Sequence, residues 1–354
     1  MKKLDVYVAK NVFVATVVVM VVVASLDTIF SILAELNRLR NDYQLPVALQ
    51  FVAMRIPRAL YEYLSMACLV GCLTGLGSLA ASSELTVMRA SGISIARISW
   101  SVLKPIVVLM FAGLLVAQYA LPPLEANAQA LRAVAQGKGA VQYNSGKGFW
   151  HREGDNYIRF SATDPKGVLY NVTIYTFNDN DELTFVRSAK KAEYQNSHWQ
   201  MTNVNELSIT PEKTENKTLK TFAWESELTP HSLSFVTIEP RDMSISDLYS
   251  YSKYLEREGL DADRYLLSFW AKINLPLGTF ALVLLGVSFI FGPLRAVSPG
   301  FRIFSGIMVG LVYKYSVELL SPASILLGFA PLLATLLPAL LCFALAAYLM
   351  RRAG

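Results

Sequence analysis

The chain has 354 residues, 53% of them apolar and only 17% charged, against roughly 25% charged in a typical soluble domain. The apolar residues run in blocks at both ends and thin out between about 125 and 265, which excludes an ordinary soluble protein and marks a membrane protein with a soluble middle. The net charge of +5 comes without a basic array interleaved with aromatics, so it points to membrane topology and lipid contact and not to nucleic acid.

The first apolar block covers residues 12–36, after Lys2, Lys3 and Lys10. A basic start and a Val-rich run are also features of a cleaved signal peptide, but the run continues through Ile29, Phe30, Ile32 and Leu33 and reads as a retained transmembrane helix. Asp27 lies within it, and an acid inside a membrane calls for a polar partner or a cavity. The second block covers 60–81 and the third 102–121, where Pro122-Pro123 is expected to stop the helix. Three more follow the soluble middle, at 273–291, 303–320 and 331–350. The fold class expected is therefore an α-helical membrane protein with six transmembrane helices, three on each side of an insertion. The expected division is 1–124, 125–265 and 266–354.

Basic residues near helix ends set the orientation. With the N-terminus inside, the cytoplasmic segments carry Lys2, Lys3, Lys10, Arg89, Arg97, Lys104, Arg295, Arg302, Arg351 and Arg352, and the outer connection at 321–330 carries none. The connection at 37–59 breaks the pattern with Arg38, Arg40, Arg55 and Arg58. One reading is local pairing with Glu35, Asp42 and Glu62. The other is that these guanidiniums face an anionic ligand at the outer leaflet, since a planar fork donates two hydrogen bonds to a phosphate at once.

The insertion opens with a helical extension over 125–136 and then turns to β pattern. Residues 172–177 alternate, a turn signal stands at 178–181, and strand-like runs recur to 224, which predicts a sandwich or barrel-like all-β domain. Residues 246–258 read as an amphipathic helix, with Leu248, Tyr251 and Leu255 on one side and Gly259 ending it. Three spans before it place this domain outside the cytoplasm.

Catalytic constellations are missing from the sequence. His151, His198 and His231 have no metal-ligand spacing and read as surface or turn residues. Cys68, Cys72 and Cys342 lie inside apolar blocks and read as buried structural thiols. Gly146-Lys147-Gly148 resembles a phosphate loop but lacks the Ser or Thr after the Lys and the earlier Gly. A chain without a nucleotide site gives meaning to its polar stretch at 82–92, between the second and third spans. This stretch reads as a short amphipathic helix with Ser83 as N-cap and Gly92 as terminator. Glu84 and Met88 share a face at i and i+4. It is either a plain loop helix or the dock for a separate ATPase.

The run Ser83-Glu84-Leu85-Thr86-Val87-Met88-Arg89-Ala90-Ser91-Gly92 resembles the coupling helix of the lipopolysaccharide-export permeases, the LptF/LptG family, and is most similar to its G subunits. Phe289-Ile290-Phe291-Gly292-Pro293-Leu294-Arg295, Asp261-Ala262-Asp263-Arg264-Tyr265 and the three-plus-three layout carry the same resemblance. It implies a periplasmic β-jellyroll domain on six inner-membrane helices, with both termini cytoplasmic. It also implies assembly with an LptF-like permease subunit, an LptB ATPase dimer and LptC, with lipopolysaccharide as cargo taken from membrane lipid. ATP and Mg belong to the ATPase, so this chain is a non-catalytic subunit that binds no cofactor.

By that resemblance Glu84 seats in the ATPase, with Met88 and Arg89 beside it. Arg38, Arg58 and Arg132 match basic residues at the mouth of the lipid cavity, with Arg40 and Arg55 nearby, whereas Ser31, Asn37 and Gln129 stand where further basic residues are expected. Lys314 and Glu318 in the fifth span are one turn apart and are either an ion pair facing a helix or, with Asp27, part of a gate or cavity wall. The alternative function is a membrane-anchored periplasmic binding or scaffold protein that needs no ATPase.

Overall fold

Hydrocarbon offers backbone N–H and C=O groups no partner, so each long apolar run has to close its own hydrogen bonds as a helix. A computed structural model describes residues 2–39, 43–135, 142–143, 149–163, 168–178, 180, 182–195, 198–210, 213–226, 239–257, 259–292 and 297–353. Among them six helices are long and apolar enough to cross a membrane. Arg40, Asp42, Lys147, His231 and Arg295, with their neighbours at 146, 148 and 293–294, lie outside the described residues.

The helices outrun the apolar blocks. α1 spans Lys2–Leu36 and α2 spans Leu45–Ala81, so the connection expected at 37–59 is mostly helix and Arg55 and Arg58 ride on α2. Pro46 permits that early start, because the first turn of a helix needs no N–H from it. α3 is Glu84–Ala90 and α4 is Ile95–Leu115. Pro122-Pro123 do not end the third span. Five residues, Val116–Ala120, form a π-helical segment, and α5, Leu121–Ala135, continues from it. The shift in hydrogen-bond register just ahead of the rings lets the helix pass two residues that have no N–H to give.

After the β domain come a 3-10 turn at Pro240–Asp242 and α6, Ile245–Arg257. α7 (Asp263–Phe291), α8 (Pro299–Leu327) and α9 (Pro331–Ala353) complete the bundle. Gly259 takes φ +66° beyond α6, as its terminator role requires. The helical content of 321–330 reduces the connection expected there to three residues after Leu327.

The described strands make one antiparallel sheet. β5 (Leu169–Phe177), β6 (Leu183–Gln195), β7 (His198–Ile209) and β8 (Thr214–Trp224) run as a meander. β3 (Asn156–Phe160) and β4 (Ala162–Thr163) share the other edge of β5, and β2 (Phe149–Glu153) and β1 (Gln142–Tyr143) pair beyond them. Ile158, Phe160, Val172, Ile174, Trp199 and Met201 fill its buried side, where Trp199 and Trp224 stack across β7 and β8 at 6.1 Å. His151 on β2 is buried, 7% exposed, and not the surface residue its isolation in sequence suggests.

α2 is the hub of the bundle, with Leu69, Leu73 and Leu76 fully buried. Lipid tails are as apolar as Leu, so burying these side chains adds little; close packing and polar pairs hold membrane helices together. α1 meets α2 at two glycines. A Cβ on Gly75 would lie 2.9 Å from the Val12 Cα, and one on Gly71 would run into the backbone of Thr16. Asn11 Nδ2 donates to the Gly75 carbonyl at 2.8 Å beside this contact. Ser65 and Thr279 share a 2.6 Å hydrogen bond between α2 and α7, and Asn274 Nδ2 donates to Thr335 Oγ1 at 2.8 Å between α7 and α9. Each such bond contributes about 0.6–2 kcal/mol in a membrane.

Gly71→Val is therefore expected to push α1 off α2 at a cost of about 1–3 kcal/mol. Its thermal midpoint in detergent should fall and the buried thiols of Cys68 and Cys72 should react with a maleimide. Gly300→Ala, where the added methyl meets nothing within 4 Å, should behave as wild type.

Candidate functional site

The polar stretch between α2 and α4 forms the helix expected and ends at Gly92 as expected, but its start is capped differently. Ser83 stands at φ 61° and makes no side-chain cap; Ser82 Oγ instead donates to Glu84 Oε1 at 2.8 Å. The C-terminus closes as a Schellman motif: Ile93 N donates to the Met88 carbonyl, Gly92 N to that of Arg89, and Gly92 takes φ +82°. Leu85 and Met88 turn into the bundle core, so Met88 supports the helix from beneath. The outer surface is Thr86, Val87, Arg89 and Ala90, with Glu84 at its edge. The i,i+3 pair Leu85–Met88 was the signal for the buried face; the Glu84–Met88 spacing points to one face but not to which one.

Toward the opposite end of α2, about 35–40 Å from Ala81 by helical rise, the arginines gather. Arg58 is nearly enclosed and meets three carboxylates: Glu62 at 2.8 Å, Glu125 of α5 at 3.2 Å and Asp242 of the 3-10 turn at 2.8 Å. Arg55 reaches Glu125 at 3.4 Å, and Gln129 Nε2 donates to the other oxygen of that carboxylate at 3.0 Å. Lys272 of α7, 6% exposed, donates to the Met243 carbonyl. Burial raises the Asp242 carboxyl above its ordinary pKa, against the pull of Arg58. Arg58, Glu62, Glu125, Asp242 and Lys272 line a cleft of about 210 Å³ between α2, α5 and α7.

A second cluster stands beside it. Glu35, 5% exposed, takes Arg38 at 3.4 Å, Arg132 at 3.6 Å and the Tyr43 hydroxyl at 2.9 Å. Burial and the Glu35 carboxylate push the Tyr43 phenol up to about 12, so it stays a donor. The guanidinium groups of Arg55 and Arg132 stand over the Phe51 ring, their central carbons 5.5 and 5.2 Å from its centroid. Local pairing of the arginines is thus realised, through Glu35 and Glu62 and also through Glu125 and Asp242. The last two have no sequence signal, since each comes from a distant segment. In the second cluster two guanidiniums share one carboxylate, and Arg38 keeps half of its side chain exposed at 53%.

Within the membrane Asp27 has a partner that the sequence does not reveal. Tyr63 Oη donates to Asp27 Oδ1 at 3.0 Å, and Lys314 Nζ lies 5.4 Å from the centroid of the same ring. Lys314 and Glu318 stand 3.8 Å apart with side chains 43% and 54% exposed. Tyr63 therefore links α1, α2 and α8 on a face that the other described residues leave partly exposed. Among the described residues no three His, Cys, Asp or Glu side chains converge as a metal site.

Comparison with known proteins fits this layout. The family model for "Lipopolysaccharide export system permease LptF/LptG" matches residues 6–352. The chain is 32% identical over 353 residues to "Lipopolysaccharide export system permease protein LptG" of Escherichia coli (strain K12), covering 99% of this chain and 98% of that protein. It is 30% identical over 352 residues to the protein of the same name from Haemophilus influenzae, again covering 99% and 98%. A match of this extent, over six spans and the β domain between them, shows that the chain belongs to the LptF/LptG family of lipopolysaccharide export system permeases.

Proposed function

We propose that the chain is the G-type permease subunit of an ABC-type lipopolysaccharide exporter. It takes lipopolysaccharide from the outer leaflet of the inner membrane and passes it toward a periplasmic bridge, powered by a separate ATPase. The observation that carries this reading is the family correspondence along the whole chain, β domain included. The termini and α3 face the cytoplasm in this proposal, and the β domain faces the periplasm, as the distribution of Lys and Arg favours. The partners are an LptF-like permease, an LptB ATPase dimer and LptC. ATP and Mg act on the ATPase, and this chain binds no cofactor.

α3 is the docking element. Glu84 and Arg89 offer charges at its surface, Val87 offers an apolar contact, and Met88 holds the helix down. At the other end of α2, Arg38, Arg40, Arg55 and Arg132 meet lipopolysaccharide phosphates. Arg58 joins them only by exchanging a carboxylate for a phosphate, because three carboxylates already surround it. Asp27, Lys314 and Glu318 line the cavity wall on the partly exposed face shared by α1 and α8.

An ATPase is expected to copurify with the wild-type chain and to be lost with Glu84→Ala. A mutant that keeps its partner and full transport would reject docking at α3, and no ATPase with the wild type would favour a scaffold protein.

Arg38→Glu and Arg132→Glu are each expected to reduce photo-crosslinking of lipopolysaccharide about tenfold, since a charged hydrogen bond contributes roughly 1.5–3 kcal/mol. Assembly with the second permease subunit should persist in both. Unchanged crosslinking would leave these arginines as local ion pairs alone.

Arg58→Glu is expected to act differently, lowering the thermal midpoint by leaving buried carboxylates unpaired at a cost of about 3–5 kcal/mol.

A further inference from the structure

The chain returning from the β domain is gripped at residues 242–246 by side chains of three membrane helices. Arg58 of α2 reaches Asp242 at 2.8 Å, and Lys272 of α7 donates to the Met243 carbonyl. The third grip comes from the π-helical segment. Gln118 Oε1 accepts from Ile245 N at 3.0 Å and Ser246 N at 3.3 Å, while its Nε2 donates to Ser246 Oγ at 2.7 Å.

These contacts make Gln118 a cap in trans. The first N–H groups of a helix have no partner within it, and α6 has two of them answered by a side chain from another helix. Its own Ser244 supplies the third, accepting from Asp247 N at 3.0 Å. A π segment is a costly local geometry that persists where it serves a site, and here it carries the residue that seizes α6.

α6 reaches the sheet in turn. Tyr254 stacks on His151 of β2 with centroids 6.0 Å apart and planes 9° from parallel, its hydroxyl 3.3 Å from His151 Nε2. Tyr251 packs edge-on against Tyr265 of α7 at 4.7 Å. The path from the third span to the β domain is therefore Gln118, the start of α6, Tyr254 and His151, with a direct contact at every step.

We propose that Gln118 is a positioning residue: it passes displacement of the third span to α6 and so sets the orientation in which the β domain receives lipid. This rests on the exporter reading above. Without the amide, α6 loses its cap and its register on the span, and motion of the bundle no longer turns the sheet.

The test uses the full chain assembled with its partner subunits in lipid nanodiscs, with spin labels at the exposed Trp100 on α4 and the exposed Lys217 on β8. Gln118→Leu should about double the width of the label-to-label distance distribution, by freeing a unit that the cap holds. Gln118→Glu keeps the acceptor for both N–H groups and should stay as narrow as wild type. In parallel, lipopolysaccharide crosslinking to a photo-probe at Leu219 should fall about tenfold in Gln118→Leu, with ATPase activity within about twofold of wild type, and Gln118→Glu should restore it.

Wild-type width and crosslinking in Gln118→Leu would overturn the proposal, as would equal losses in both variants, which would mean packing alone. Should Gln118→Leu fail to assemble, Ser246→Ala is expected to broaden the distribution by a smaller amount, and an unchanged width there would also overturn it. If wild type itself yields no lipopolysaccharide crosslink, the exporter reading fails, while the distance measurement still decides the joint.

Discussion

A guanidinium at the mouth of a membrane bundle can be enclosed only if carboxylates come to it. Arg58 draws three, from its own helix, from α5 and from the turn that follows the β domain. Losing one partner of such a buried cluster is far more damaging than never having built it, because the remaining charges have no water to turn to. The arrangement therefore fixes relative positions: α5 cannot rotate, nor the 3-10 turn at Pro240–Asp242 lift away, without stranding a charge. The first and second halves of the transmembrane chain meet the soluble domain at this point.

The helices that do not share this crowding have a different character. In α1 and α8 only 17% and 11% of the most apolar window is buried within the chain. Both contribute to the face where Tyr63 joins Asp27 to Lys314, and both expose large apolar side chains along their length. Polar groups in hydrocarbon are retained where they line a pathway or meet another protein. A single subunit thus has a finished side, centred on α2, and an unfinished one.

Six spans, the β character of the middle and the amphipathic α6 were legible in the sequence, because hydropathy blocks and period-two alternation are local signals. Helix ends were less so. Pro46 opens α2 and Pro122-Pro123 fail to close the third span, since the effect of a proline depends on whether its missing N–H falls where one is needed. The arginines were found, but not their partners Glu125 and Asp242, which lie 67 and 184 positions beyond Arg58 in the sequence (125 − 58 and 242 − 58) and have no marking pattern. Met88 was assigned to the right helix and the wrong side. Tyr63 and Gln118 carried no signal, being an aromatic and an amide whose roles exist only once distant helices are brought together.

The π segment at Val116–Ala120 has one more consequence, for rotational phase. In an α-helix every residue advances the side chains by about 100°, so the wide turn sets the angle at which everything after it emerges. Glu125 and Arg132 both lie downstream, and both have to point back at α1 and α2 to meet their partners. Removing one residue before them would leave the composition almost unchanged and swing both charges a quarter-turn away. Length between the segment and those residues is thus as tightly constrained as their identity, and the third span tolerates substitution far better than insertion or deletion.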